Sequence, residues 1–171
     1  GSGSYGTVIS VSKDDLTFAI KLCKYTDDTY IEPSTLREID ILKKTTHNHI
    51  VSIHDVFFAF YKGEKYVCIL MELAESTIYK YKFNTDNSVL NLLQILDGIH
   101  YLSQLGYIHG DLSYNNILVK SGEMKICDLG FTKRIYRRVD VVLPPTINVR
   151  PPELFYENNF VNTSSIDTWA L

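Results

Sequence analysis

Cysteine is scarce in this chain. Cys23, Cys68 and Cys127 are the only three in 171 residues, and no two form a CxxC pair. An odd, scattered set in apolar surroundings argues against a disulfide framework or a zinc site, and for reduced thiols in a cytoplasmic or nuclear protein. Long hydrophobic runs are missing too. None exceeds six residues, and Val67 to Met71 has five, far short of a bilayer span. No basic-then-apolar leader opens the sequence, so no membrane or secretory role is expected, and the Asn162-Thr163-Ser164 sequon reads as accidental. Charge of one sign is also lacking. Seventeen basic and twenty acidic residues leave a net charge of -3, which does not suggest a nucleic-acid partner. There is no internal repeat and no low-complexity tract.

What is present is 45% hydrophobic sequence, enough for a core in one domain or two small lobes. Val8 to Val11 and Thr17 to Cys23 read as strands around a Lys13-Asp14-Asp15 turn. Pro33 to Lys44 has helical spacing, with Leu36, Ile39 and Leu42 on one face. Ile50 to Phe60 and Lys65 to Met71 read as strands joined at Lys62-Gly63-Glu64. Asn87 to Leu105 is the strongest helix. Its Leu92, Leu93, Leu96, Ile99 and Leu102 recur at three and four, and Gly106 can end it. Ile117 to Lys120 and Met124 to Cys127 form a hairpin about Ser121-Gly122. From Asp128 to Pro152 no regular pattern survives, and a loop of that length is usually functional. The chain opens inside a glycine-rich turn and closes at Asp167-Thr168-Trp169-Ala170-Leu171, in what reads as a helix start, so it reads as a fragment.

The most informative stretch is His109-Gly110-Asp111-Leu112-Ser113-Tyr114-Asn115-Asn116, followed at once by the apolar strand Ile117-Leu118-Val119. Asp111 and Asn116 stand five residues apart in a short loop. Phosphoryl transfer needs a carboxylate to accept the proton of an attacking hydroxyl and an amide oxygen to hold magnesium. Twelve residues after Asn116, Asp128-Leu129-Gly130 is placed to supply a second metal ligand. Upstream, Gly1-Ser2-Gly3-Ser4-Tyr5-Gly6-Thr7-Val8 fits GxGxxGxV, whose glycines let backbone amides approach phosphate. A serine-glycine linker fits the same letters. Lys21 lies inside the apolar strand Phe18-Ala19-Ile20-Lys21, where a lone ammonium is costly. Its partner is Glu38, or else Lys21 is an edge-strand charge and Glu38 completes a capping box with Thr35. Asp111, Asn116 and Asp128 each have a plain turn reading as well. His109 reads as a packed structural histidine. Taken together and in this order, the plain readings require several coincidences.

The whole chain resembles a eukaryotic-type protein kinase domain. Within that group Glu32-Pro33-Ser34-Thr35-Leu36-Arg37-Glu38-Ile39 is similar to the PSTAIRE helix of cyclin-dependent kinases, one residue shorter. His47-Asn48-His49-Ile50-Val51 resembles the HPNIV turn. Pro151-Pro152-Glu153 stands at the Ala-Pro-Glu position, and Asp167-Thr168-Trp169 at the DxW whose Asp braces the catalytic loop. The resemblance implies an α+β bilobal fold. Residues 1–73 would be an antiparallel-sheet N-lobe without its first strand and with one regulatory helix. Residues 74–171 would be a mainly helical, incomplete C-lobe with an activation segment at 128–153. It implies ATP and Mg2+ as cofactors, and a serine/threonine protein kinase acting on protein substrates. A cyclin-like regulatory partner would sit on the 33–44 helix. Gly1, Gly3, Gly6 and Lys21 would hold the phosphates, with Val8, Ala19 and Leu118 around the adenine. Met71 would be the gatekeeper, Glu72 and Ala74 the hinge, and Asn116 and Asp128 the metal ligands. Asp111 would be the base, Lys21 and Glu38 the ion pair, and Thr146 the threonine bonded to Asp111.

Two departures stand out. Gly110 replaces the arginine that receives an activation-loop phosphate, and residues 141–145 carry no hydroxyl at the usual acceptor position, so activity without that phosphate is expected. Arg37 and Lys133 match the other two basic positions. Ser113 replaces the lysine that steadies the γ-phosphate. A unit charge lost at about 4 Å amounts to roughly 4 kcal/mol at a dielectric near 20 and about 1 in water, a rate penalty of a few-fold to a thousand-fold. Two rivals follow: a non-catalytic nucleotide-binding module, favoured by these departures, and a small-molecule kinase of the aminoglycoside or choline type, favoured by His-Gly-Asp-Leu.

Overall fold

The computed structural model describes residues 2–3, 6–26, 29–81, 87–136, 146–156 and 163–171. Five strands make one antiparallel sheet: β1 (Ser2–Gly3), β2 (Gly6–Lys13), β3 (Leu16–Tyr25), β4 (Ile53–Tyr61) and β5 (Glu64–Glu72), in spatial order β1-β2-β3-β5-β4. Both long hairpins turn on two residues with positive φ, Asp14-Asp15 and Lys62-Gly63, and so does the later Ser121-Gly122 turn. Such turns match the right-handed twist of the strands they join. β2 runs two residues beyond its expected stretch at each end and β3 and β5 one or two beyond theirs, whereas β4 starts at Ile53, three residues after the expected Ile50.

Helix α1 (Pro33–Leu42) begins at proline, whose fixed φ suits a first turn. Its cap is Glu32, with no side-chain bond, and Thr35 lies inside the helix, so the capping-box reading of Thr35 and Glu38 fails. The buried face is Thr35, Glu38, Ile41 and Leu42, and Leu36 is exposed. The expected Leu36–Ile39–Leu42 face is therefore rotated. A buried Glu38 with an ion partner fixes the helix more strongly than leucine spacing does.

Beyond β5 come β6 (Ser76–Thr77), α2 (Ser88–Gln104), β7 (Tyr107–Ile108), β8 (Ile117–Lys120), β9 (Glu123–Ile126) and β10 (Lys133–Arg134). Short helices α3 (Glu153–Tyr156) and α4 (Ser165–Trp169) follow. In α2 the buried stripe is Asn91, Ile95, Gly98, Ile99 and Leu102, while Leu92, Leu93 and Leu96 are exposed, against the sequence expectation. Gly98 explains the rotation. A Cβ there would come within 2.9 Å of both His49 O and Ile126 Cδ1, so the helix lies closest at its one position without a side chain. Gly106, at φ +81, follows the end of α2, as expected. The stretch after Asp128 is more ordered than its sequence suggests: Leu129–Phe131 is a 3-10 turn and β10 pairs antiparallel with β7. One core cluster takes in Ile41 and Leu42 of α1, Ile69 of β5, Leu102 of α2 and Val119, Met124 and Ile126 of the β8–β9 hairpin. Each such side chain contributes about 1.5–3 kcal/mol over exposure. The loop after α1 is stitched to β9 by Val51 N donating to Ile126 O and Ile126 N to His49 O, both at 2.9 Å. That packing fixes the loops at the ends of β7, β8 and β9 against α1 and the sheet.

Candidate active site

Register places the residues expected to face a nucleotide. Val8 of β2 pairs with Lys21 of β3, and Ala19 pairs with Met71 of β5. Gly6 sits at φ +145, where a Cβ would come within 2.8 Å of Leu22 O, so the start of β2 beside β3 requires glycine. Gly3 pairs with Gly6 through β1, and Gly1 lies outside the described residues. Leu118 is half-buried on β8, and Ala74 lies in the short link between β5 and β6.

Lys21 is buried, and its Nζ lies 2.6 Å from Glu38 Oε2 and 3.1 Å from Asp128 Oδ1. Burial pushes the ammonium down, but the two carboxylates outweigh it and hold Lys21 charged, well above its ordinary range. Burial pushes Glu38 up, with Lys21 pulling the other way. Asp128 itself is left-handed, at φ 60 and ψ 66, a conformation aspartate tolerates better than most residues. Arg37 of α1 donates to Gly130 O at 2.6 Å, so α1 holds both the ion pair and the loop that carries Asp128.

The second half of the site is built on Asp167. Its Oδ2 accepts the His109 N–H at 2.6 Å and its Oδ1 the Gly110 N–H at 2.9 Å. Burial raises its pKa, and these two N–H donors oppose that. His109 is fully buried, its Nε2 2.9 Å from Cys127 O, and its Nδ1 accepts from Asp111 N at 3.2 Å. The histidine is structural, as expected: it ties the Asp111 loop to the residue before Asp128. Gly110 is at φ +79, and a Cβ would lie 2.8 Å from Phe131 O, so the two loops cross at backbone contact.

Asp111 is buried, and burial raises its carboxyl pKa while hydrogen bonds from Thr146 oppose the rise. Thr146 N donates to its Oδ1 at 3.3 Å. Asn116 Nδ2 donates to the Asp111 carbonyl at 2.8 Å, which turns the amide oxygen the other way. Ser113 is buried in the same loop. Among the described residues no three His, Cys, Asp or Glu side chains converge to hold a metal by themselves. One carboxylate and one amide oxygen suit magnesium, which keeps waters and takes its remaining ligands from phosphates. The predicted set thus falls into two groups, Lys21–Glu38–Asp128 and Asp111–Asn116–Thr146, joined through His109 and Cys127.

A third cluster escaped the sequence reading. The Glu72 carboxylate accepts from Ser52 N at 2.7 Å and Lys120 Nζ at 2.7 Å, with Lys125 Nζ at 3.3 Å. Lys125 also donates to Asn48 O at 2.7 Å. The signal was available: Lys125, like Lys21, is a lysine inside an apolar strand.

Residues 1–171 match the protein kinase domain family. The chain is 30% identical over 179 residues to a protein of Acanthamoeba polyphaga mimivirus whose name describes a serine/threonine-protein kinase, covering 99% of this chain and 28% of that one. It is 29% identical to a protein of Encephalitozoon cuniculi named for a cell division protein kinase, covering 100% of this chain and 65% of the relative. Cyclin-dependent kinase 12 of Drosophila melanogaster is 31% identical, with 99% of this chain and 16% of the relative covered. The chain therefore spans under two thirds of the length of each. It belongs to the protein kinase domain family and has that family's α+β architecture, an antiparallel sheet with one helix followed by a mainly helical portion.

Proposed function

We propose that the chain is the catalytic unit of a protein kinase that uses magnesium-ATP to phosphorylate serine or threonine hydroxyls of proteins. The observation that carries this is the convergence of Lys21, Glu38 and Asp128 within 3.1 Å beside the Asp111 loop. Lys21, kept charged by its two carboxylates, meets the α- and β-phosphates, and Glu38 fixes its direction. Asn116 and Asp128 would hold magnesium, which when bound neutralises charge on the phosphates. Asp111 accepts the proton of the attacking hydroxyl; burial makes it a stronger base than a solvated aspartate. Thr146 on Asp111 and the names of the relatives support serine or threonine as acceptor.

The test is transfer of labelled γ-phosphate from ATP to generic protein substrates and to aminoglycosides, with Asp111→Asn as control. Transfer to protein that needs Asp111 supports the reading. Transfer only to small molecules replaces it with the small-molecule kinase. Magnesium-ATP binding without any transfer replaces it with the binding module, the reading that the buried, neutral Ser113 favours. We propose also that the exposed side of α1 receives a cyclin-like regulatory protein. Leu36 is exposed there while its neighbours Thr35 and Glu38 are buried, and displacing the helix would part Glu38 from Lys21. Full activity of the monomer, unchanged by Leu36→Glu, would refute this second point. A cytoplasmic or nuclear location is the matching proposal, on the reduced cysteines.

A further inference from the structure

We propose that the free edge of β4 pairs antiparallel with β4 of a second copy of this chain, on a two-fold axis through Phe58. Among the described residues, β4 is the outermost strand of the five-stranded sheet, at the opposite edge from β1 and β2. From Val56 to Tyr61 its sequence is Val-Phe-Phe-Ala-Phe-Tyr, with no charge and no proline. Sheet edges normally carry lysine, proline or an inward charge that blocks pairing. Phe58 is 67% exposed and Phe60 73%.

The turn fixes which backbone groups face outward. Tyr61 pairs with Glu64 across the two-residue Lys62-Gly63 turn, so these two exchange hydrogen bonds. Alternation along an antiparallel pair then turns the N–H and C=O groups of Val56, Phe58 and Phe60 away from β5. Val56 bears this out, since its N–H is given to Asp55 Oδ1 at 2.7 Å. The side chains of these three residues lie on one face of the sheet, where Phe58 packs edge-on to Tyr25 with ring centroids 5.9 Å apart.

A second copy satisfies that edge once Asp55 Oδ1 gives up the Val56 N–H. With the axis at Phe58, Phe58 faces Phe58 and Val56 faces Phe60, an apolar ladder of the kind that stabilises sheets. Charge selects the direction. Asp55 stands at one end of the uncharged stretch and Lys62 at the other. Antiparallel self-pairing sets Asp55 of each copy opposite Tyr61 of the other, one residue short of its Lys62, at both ends, whereas parallel pairing sets like against like. A two-fold interface is also self-closing, so association stops at the dimer.

Sedimentation velocity on the purified protein from about 1 to 100 µM tests this. A monomer–dimer equilibrium that saturates at the dimer is expected, weakened at least about tenfold by Phe58→Lys and kept by Leu16→Lys, which changes an equally exposed residue on β3. The second arm is oxidative cross-linking. Residues on the axis in a hydrogen-bonded pair have Cα atoms about 5.5 Å apart, within disulfide reach. Phe58→Cys should therefore give a covalent dimer on a non-reducing gel, while Phe60→Cys, facing Val56, and the wild type should not. A monomer at every concentration, association indifferent to Phe58→Lys, growth past the dimer, or equal cross-linking through Phe60→Cys would each overturn the proposal.

Discussion

The Gly110 N–H meets Asp167 Oδ1 at 2.9 Å across 57 residues of chain. The other oxygen of Asp167 takes the His109 N–H, so one carboxylate sets the backbone just before Asp111. An amide can satisfy only one of these donors with its oxygen and opposes the other with an NH2 group. Asp167→Asn should cost about 1–3 kcal/mol. Part of that falls on the placement of Asp111, so kcat should drop roughly 10–100-fold with the KM for ATP little changed. Steady-state kinetics with urea unfolding checks this; a KM effect without a kcat effect would contradict it.

Lys21 and Glu38 separate stability from chemistry. Lys21→Met strands a buried Glu38 carboxylate, and removing one partner of a buried pair costs about 3–5 kcal/mol. Adding Glu38→Leu should restore most of that stability, because the one carboxylate left without its cation, Asp128, is partly exposed to water. Phosphoryl transfer should stay lost in both variants, since neither retains a cation for the phosphates. A double-mutant cycle read by denaturation, with transfer assayed in parallel, gives the answer. Transfer recovered along with stability would show that Lys21 acts only as a structural ion.

Those two groups also show what the sequence could and could not disclose. Lys21 was legible because a lysine inside an apolar strand needs a partner, and Glu38, Asp111, Asn116 and Asp128 because their order matched a known chemistry, although each had a plain reading of its own. The strands and turns were legible because Asp14-Asp15 and Lys62-Gly63 punctuate alternating runs. The helix faces were not. Leucine spacing pointed to Leu36 in α1 and to Leu92, Leu93 and Leu96 in α2, yet Glu38 and Gly98 decide which side packs. An ion pair and a missing Cβ leave no trace in a hydrophobic pattern. The β7–β10 pairing was hidden because two-residue strands have no periodicity. The Glu72 cluster was missed although Lys125 inside an apolar strand signalled a buried ion pair, because its partner Glu72 lies in a distant segment.

Gly98 yields a sharp packing prediction. A methyl group there would meet His49 O and Ile126 Cδ1 at 2.9 Å each, one of them backbone. On an exposed helix site Gly→Ala gains about 1 kcal/mol. Here overpacking, at about 1–3 kcal/mol, should reverse the sign. Gly98→Ala should therefore lower the unfolding midpoint in urea, and an increase would show that α2 is free to move off β9.

The Glu72 cluster should make stability fall in acid. Burial alone would raise the Glu72 pKa, but the hydrogen bonds from Lys120 and Ser52 N and the charge of Lys125 win and hold it below the ordinary glutamate value. A carboxyl depressed in the folded state binds its proton more readily in the unfolded chain. Its contribution is therefore fully present above the unfolded value of about 4.3 and is lost as pH falls through the folded one. Glu72→Gln keeps the shape and removes the charge, leaving Lys125 buried with only Asn48 O as acceptor. The variant should be less stable than wild type by about 1–3 kcal/mol at pH 7, and the gap should narrow steadily below about pH 4.3. The Lys120 arm is partly exposed, so added salt should weaken it, while the Lys125 contact, shielded from solvent, keeps most of the difference. Urea unfolding of both proteins from neutral to acid pH, at low and high salt, measures all of this. A gap that stays constant with pH would mean that Glu72 contributes packing and not charge.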